Sequence, residues 1–284
     1  MSGISRLVHS PSVATNTMVN QPMAKAATRN GWLPNQHGAW AMLAVPSLFA
    51  VADRLLSFTP IISSLLLIAF WWCGYLWFFA ASGWLKAAGN RRTRYHQAIV
   101  TYGVAAGMIG VGALWANGPG LLLWALIFVP LLGTAFWLAG HRKERALLGG
   151  LVTVAAGTAL PLVCAAPNLL SVKWTEVSAA AWCSLMCFGY FFGTVLYVKT
   201  MIRERGERAW YIASVTYHAA WTIATCFTIP SAGWFWPAFF AATTIRAAVV
   251  PKVASLAAKR VGIGELVFSL ILLIGGWSWL VLTG

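Results

Sequence analysis

Residues 179–208 read AAAWCSLMCFGYFFGTVLYVKTMIRERGER. The first eighteen carry no charge; of the last twelve, Tyr197 to Arg208, six do. Charged residues make up only 9% of this 284-residue chain, so the cluster marks a boundary. A bilayer core about 30 Å thick is crossed by roughly 20 helical residues, which is the length of the uncharged run. The charge at its end stands where the chain leaves the lipid.

Composition extends that reading to the whole chain. It is 60% hydrophobic with a mean hydropathy of +0.73, and holds 17 Trp but only 6 acidic residues. A soluble domain has too little polar surface to cover so much apolar material. The alternation over about ten residues that marks barrel strands is absent. The expected fold is all-α: a polytopic helical membrane protein of about nine transmembrane helices. The spans run roughly Gly38–Leu56, Pro60–Trp84, Gln97–Ala116, Gly120–Ala139, Ala146–Ala166, Val177–Val198, Ala209–Ile229, Gly233–Val250 and Gly264–Thr283. Breakers fall at the joins: Asn117-Gly118-Pro119, Pro167-Asn168, Pro230 with Gly233, and Gly262 with Gly264. Pro46, Pro130, Pro161 and Pro237 fall inside spans, where neighbouring helices satisfy the freed carbonyls.

The cations sort by loop. Arg6, Lys25 and Arg29 precede the first span; Lys86, Arg91, Arg92 and Arg94 follow the second; Arg142, Lys143 and Arg145 follow the fourth; Lys199, Arg203, Arg205 and Arg208 follow the sixth; Arg246, Lys252, Lys259 and Arg260 cluster around the end of the eighth. Only Arg54 and Lys173 fall on the other side. Cytoplasmic loops carry such an excess, so the N-terminus is expected inside and the C-terminus outside. Residues 1–33 form a basic tail without acids or an apolar signal core, for which disorder is the simpler reading; Met18 and Met23 offer later starts. Residues 34–284 form the membrane domain. The five cysteines all lie in apolar runs with no acidic or His partner nearby, and read as small packing residues.

Several segments admit both a bland and a functional reading. Tyr197–Arg208 suits a solvated helical extension, with Lys199, Arg203 and Glu207 on one face and Glu204 paired to Arg208. It equally suits the wall of a site. Gln36 and His37, entering the first span beside Trp40, read as a helix cap with an interface anchor, or as a His aimed into a cytoplasmic cavity. Arg246–Glu265 suits a short interfacial helix, with Lys252 and Lys259 flanking an apolar stripe. Glu265 then falls in the first turn of the last span, complementing the helix dipole, or acts as a buried partner of Arg246 or Lys252. His218 sits mid-span among Thr216, Tyr217 and Thr222, as a packed neutral His or as a functional group.

At these residues a resemblance emerges. QHGAWAM (Gln36–Met42), ERAL (Glu144–Leu147), YVKTMIRERG (Tyr197–Gly206), His218, Pro251–Lys252 and VGIGE (Val261–Glu265) are similar to the YwiC-like family of bacterial membrane proteins, from about Pro34 to the C-terminus. The resemblance implies a multi-pass protein of the bacterial cytoplasmic (inner) membrane rather than an activity. In architecture the chain also resembles the UbiA-type intramembrane prenyltransferases, which carry Asp-rich motifs after the second and sixth spans to hold Mg²⁺ and a prenyl diphosphate. Here the first of those loops has no acid and the second sets Glu204 and Glu207 among Arg. Hard-cation sites need several oxygen ligands, so no metal and no cofactor are expected.

The face is suited instead to an anion held directly. The candidate ligand-binding set is Gln36, His37, Lys86, Arg91, Arg92, His96, Tyr197, Lys199, Arg203, His218, Arg246, Lys252 and Glu265. The partners expected are membrane lipids and an anionic or isoprenoid small molecule, not nucleic acid. A transporter and a structural or assembly factor are the competing classes. If the protein is an enzyme, it is a metal-independent intramembrane transferase; no nucleophile–base pair identifies a reaction.

Overall fold

The computed structural model describes residues 31–34, 37–58, 60–228 and 233–283. Gln36 and nearly all of the basic tail lie outside them, as does the side chain of His37. The described residues form ten α-helices: α1 (His37–Leu56), α2 (Ile62–Lys86), α3 (Thr93–Asn117), α4 (Ala125–Gly140), α5 (Leu147–Thr158), α6 (Leu160–Ala165), α7 (Trp174–Val198), α8 (Arg208–Thr228), α9 (Phe235–Val253) and α10 (Ala258–Thr283). Pro161 enters the first turn of α6, and α5 and α6 form one broken span from Leu147 to Ala165. The described chain therefore makes nine long rods, and the protein is an all-α polytopic helical membrane protein. Seven rods are long and apolar enough to cross a bilayer. The other two, α8 and α9, are 21 and 19 residues long but less apolar, carrying Arg208, His218, Arg246 and Lys252.

Helices α1, α7, α9 and α10 share the main core, where Phe49, Met186, Tyr190, Trp236, Phe240 and Leu272 are all but inaccessible. Lipid tails are as apolar as these side chains, so what holds the helices together is close packing and interhelical hydrogen bonding rather than escape from water. A second cluster, with Leu67, Trp124, Leu160 and Val163, joins α2, α6 and the 3₁₀ turn Pro119–Trp124 at the opposite end, where Trp124 Nε1 donates to the Ala166 carbonyl at 2.9 Å. Two antiparallel hairpins, α2–α3 and α8–α9, flank this core.

Four expectations from the sequence are corrected. No interfacial helix spans Arg246–Glu265: α9 runs on to Val253, Ala254 is extended (φ −141°, ψ 129°), and α10 begins at Ala258. Gly262 and Gly264 do not break the chain but lie inside α10, so Glu265 stands in its third turn and not its first. The charged stretch after α7 is not a straight extension either. Lys199–Arg203 forms a π-turn, Glu204 leaves helical geometry, and Gly206 takes a φ of +91°. Glu204 therefore reaches Lys199 (3.6 Å) rather than Arg208. Finally, Cys226 is exposed on α8, whereas Cys164, Cys183 and Cys187 are packed in the interior.

The segments after α2, α4 and α7 and the start of α10 gather at one end of the bundle, where one cavity collects cations from them. A reporter fused after Thr283 is expected to read as external and one inserted near Asn90 as cytoplasmic; finding both on the same side contradicts a nine-span path.

Candidate functional site

The basic end opens into a cavity of about 1230 Å³ between α1, α2, α5, α7 and α10. Its mouth carries eight cations: Lys86 at the end of α2, Arg91 and Arg94 around the start of α3, Arg142 and Arg145 from the α4–α5 loop, Lys199 and Arg203 from the π-turn, and Lys259 on α10. The first turns of α1, α5 and α10 also reach the mouth at Gly38, at Ala146 and Gly149, and at Ala258, adding the partial positive charge of helix N-termini. Two like charges 10 Å apart repel by roughly 1.5 kcal/mol at an effective dielectric of 20. A mouth of eight cations is therefore poised for negative charge.

Among the described residues, Glu144 supplies the one carboxylate at this mouth. Lys86 Nζ donates to its Oε1 at 3.1 Å, and its Oε2 is buried without a hydrogen-bond partner among the described residues. Partial burial lifts the Glu144 carboxyl, but its own backbone N–H, the Lys86 hydrogen bond and the charges of Lys86 and Arg145 outweigh this and hold it below the usual range. The loop carrying it is tightly wound. Arg142 takes a φ of +56°, Lys143 N donates to the Leu138 carbonyl (2.7 Å), and the Glu144 carbonyl lies against Gly149. A Cβ on Gly149 would sit 2.3 Å from that backbone oxygen, so only glycine lets the loop close onto α5.

Lys199 is buried, with Nζ 4.3 Å above the Trp210 ring and 3.6 Å from Glu204. The π-turn is the local cause: such a bulge adds a residue to the turn and re-aims the side chains after it. Arg203, Arg91, Arg94 and Lys259 remain exposed at the rim.

Below the rim the walls become apolar and aromatic, with Met42, Tyr75, Phe78, Phe79, Phe191 and Leu266. The floor is polar again. Glu265 on α10 is ion-paired with Arg246 of α9, and both side chains are buried. Thr194 Oγ1 donates to Glu265 Oε2 at 2.6 Å, while the Tyr190 and Ser269 hydroxyls donate to the Glu265 carbonyl, each at 2.8 Å. Arg246 lies between the rings of Tyr197 (4.3 Å) and Phe268 (4.4 Å), which return some of the attraction lost on leaving water. Of the two partners the sequence allows for Glu265, the structure selects Arg246.

The structure thus brings Lys86, Arg91, Lys199, Arg203 and Glu265 of the predicted set into one cavity. Arg246 and Tyr197 stand directly behind its floor. Arg92 turns away, stacking on Trp84 (4.7 Å) with Nε donating to the Ala87 carbonyl, and exposed His96 accepts from Trp84 Nε1. Lys252 lies 5.1 Å over Tyr211 on a separate shallow hollow. His218 is buried between α8 and α7: its Nδ1 donates to the Ser214 carbonyl at 2.7 Å, and a Cβ on Gly193 would come within 2.7 Å of its Nε2. These four residues are not in the cavity lining, because each is claimed by a neighbour on its own hairpin or on the helix beside it. Sequence reasoning missed Arg94, Arg142, Arg145, Lys259 and Glu144 as site residues, and the hydroxyls Tyr190, Thr194 and Ser269. The four cations and Glu144 were visible as loop charges. The hydroxyls recur at the spacing of one helix face (Tyr190 and Thr194; Glu265 and Ser269), the one available sign.

Comparison with known proteins bears on this region directly. Residues 33–166, which include α1, the cation-rich loop after α2 and the Glu144 loop, match the model of the YwiC-like protein family. Over that stretch the chain is similar to YwiC-like proteins. The chain is also 27% identical over 211 residues to the uncharacterized protein YwiC of Bacillus subtilis, covering 73% of this chain and 81% of that one. It is 25% identical over 189 residues to an uncharacterized protein of Haemophilus influenzae, covering 66% of this chain and 74% of that one. No solved structure matches the chain.

Proposed function

We propose that this protein binds an anionic amphiphile from its own membrane, head in the basic mouth and apolar part along the aromatic walls, without a bridging metal. The observation that carries the reading is the convergence of eight cations from five separate segments on one cavity. Arg offers paired donors to phosphate or carboxylate oxygens and Lys a compact charge. The volume favours a lipid-like ligand, such as a prenyl diphosphate, over a bare oxyanion, since small-ligand pockets run from about 300 to 1,000 Å³ and this one exceeds them. The metal-independent form rests on the two cavity carboxylates, each already held by a cation: Glu144 by Lys86 and Glu265 by Arg246. The loops after α2 and α7 share this mouth, the arrangement that a UbiA-like scaffold requires. The proposed location is a bacterial cytoplasmic membrane, with the basic end facing the cytoplasm.

One feature favours a second reading, an anion transporter. The α5–α6 rod is broken at Ala159, within its membrane span, and broken helices with buried polar groups mark transport paths. Solute flux into vesicles carrying the purified protein separates the two.

Mass spectrometry of lipids that copurify with the protein tests the main reading; an anionic amphiphile bound in near-stoichiometric amount is the expected result. Binding is expected to survive EDTA unchanged. Loss of binding on chelation, restored by Mg²⁺, contradicts the metal-independent site.

A further inference from the structure

The floor of the cavity restricts what the far end of the ligand can be, an inference that rests on the reading just given. A hydrocarbon tail calls for an apolar floor. This one is built from Tyr190, Thr194, Glu265 and Ser269. Their hydrogens are already committed. Thr194 gives its hydroxyl proton to Glu265 Oε2 and Ser269 gives its own to the Glu265 backbone carbonyl, while the Tyr190 hydroxyl reaches that carbonyl (2.8 Å), Glu265 Oε2 (3.3 Å) and Ser269 Oγ (3.2 Å). A hydroxyl supplies one donor and two acceptor lone pairs. With every proton held inside this cluster, these hydroxyls have only lone pairs left to offer the cavity.

Charge narrows the class further. Arg246 neutralises Glu265 from behind, and both are buried, so the floor carries no net charge that calls for a cation. A ligand end buried against these oxygens can bond them only by donating, whereas an acceptor placed there meets lone pairs and stays unmatched, which is costly. Along α10, Glu265 lies six residues below Lys259, and along α7, Tyr190 lies nine below Lys199. At about 1.5 Å per residue, floor and mouth are about 9–14 Å apart. We infer that the ligand is bipolar: an anionic head, an apolar middle of that length, and a neutral hydrogen-bond donor, a hydroxyl or amide N–H, at the far end.

Three probes differing only at the far end test this on the purified full-length protein: decyl phosphate, its ω-hydroxy derivative and its ω-methoxy derivative. The methoxy group is polar and accepts but cannot donate. The ω-hydroxy phosphate is expected to bind about tenfold more tightly than the ω-methoxy one, the difference made by one satisfied hydrogen bond. Ser269→Ala is expected to shrink that preference severalfold. Equal binding of the hydroxy and methoxy probes, or preference for plain decyl phosphate, overturns the donor-end inference and leaves the anion site standing. Failure of all three phosphates to bind overturns both. The comparison of probes needs only the unaltered protein, so a poorly folding variant does not blunt it.

Discussion

Glu265→Leu is expected to destabilise the protein by about 3–5 kcal/mol, and the double substitution Arg246→Met with Glu265→Leu to recover most of that loss. In the single variant the Arg246 guanidinium stays buried between Tyr197 and Phe268 with its one carboxylate partner gone. The rings soften that cost but accept no hydrogen bond of normal strength, and Arg246 Nε and Nη2 already lack partners among the described residues. In the double variant the charge leaves with its partner, and Met and Leu fill similar space. The Tyr190 and Ser269 hydroxyls keep their acceptor, because it is the backbone carbonyl of residue 265. Thermal unfolding in one detergent, read across wild type, both single variants and the double, decides the matter. A double variant as unstable as Glu265→Leu would show that shape, and not charge pairing, ties α9 to α10. Its stability also separates roles: a folded double variant with lost ligand binding assigns the pair to the site.

How much of this was legible follows from the range of each interaction. The nine rods and the gathering of basic loops at one end were readable, since they rest on hydropathy and charge summed over some 20 residues, and small boundary errors leave such sums intact. The errors sit where one or two residues decide. Gly262 and Gly264 look like breakers, yet α10 runs through them, because a helix packed against α1 and α9 tolerates glycines that an isolated one does not. The π-turn at Lys199–Arg203 shifts every later residue around the helix, so pairing arithmetic at four-residue spacing gave Glu204 to Arg208 when its partner is Lys199. Site residues divide in the same way. Lys86, Arg91, Lys199 and Arg203 were found because charge gathered at a membrane edge is conspicuous. Tyr190, Thr194 and Ser269 were not, because single hydroxyls in apolar helices usually bond their own backbone, as Ser269 does to the Glu265 carbonyl four residues back; only the tertiary approach of α7 to α10 turns Tyr190 and Thr194 toward Glu265.

Arg203→Lys is expected to weaken binding of an anionic amphiphile such as farnesyl diphosphate by about tenfold or more, the equivalent of roughly 1.5–3 kcal/mol for a lost charge-assisted hydrogen bond. Expression and stability should be unchanged, since Arg203 is exposed at the mouth and makes no ion pair among the described residues. The substitution keeps the charge, so insertion and orientation, which count Lys and Arg alike, are untouched. What it removes is the planar pair of donors that grips two oxygens of one head group. Arg205 is not a suitable control, despite lying two residues away. Its Nε donates to the Met201 carbonyl and its Nη2 to the Leu256 carbonyl, bracing the end of α7 against the α9–α10 link. Arg205→Lys should therefore lower stability and leave affinity alone. The matched control is Arg260→Lys, an exposed cation in the first turn of α10 that stands outside the cavity lining. If Arg203→Lys and Arg260→Lys bind alike, position within the mouth is immaterial and the cations serve only the membrane surface. If Arg203→Lys alone loses affinity, and that loss narrows as salt rises, a guanidinium at position 203 is gripping the head group.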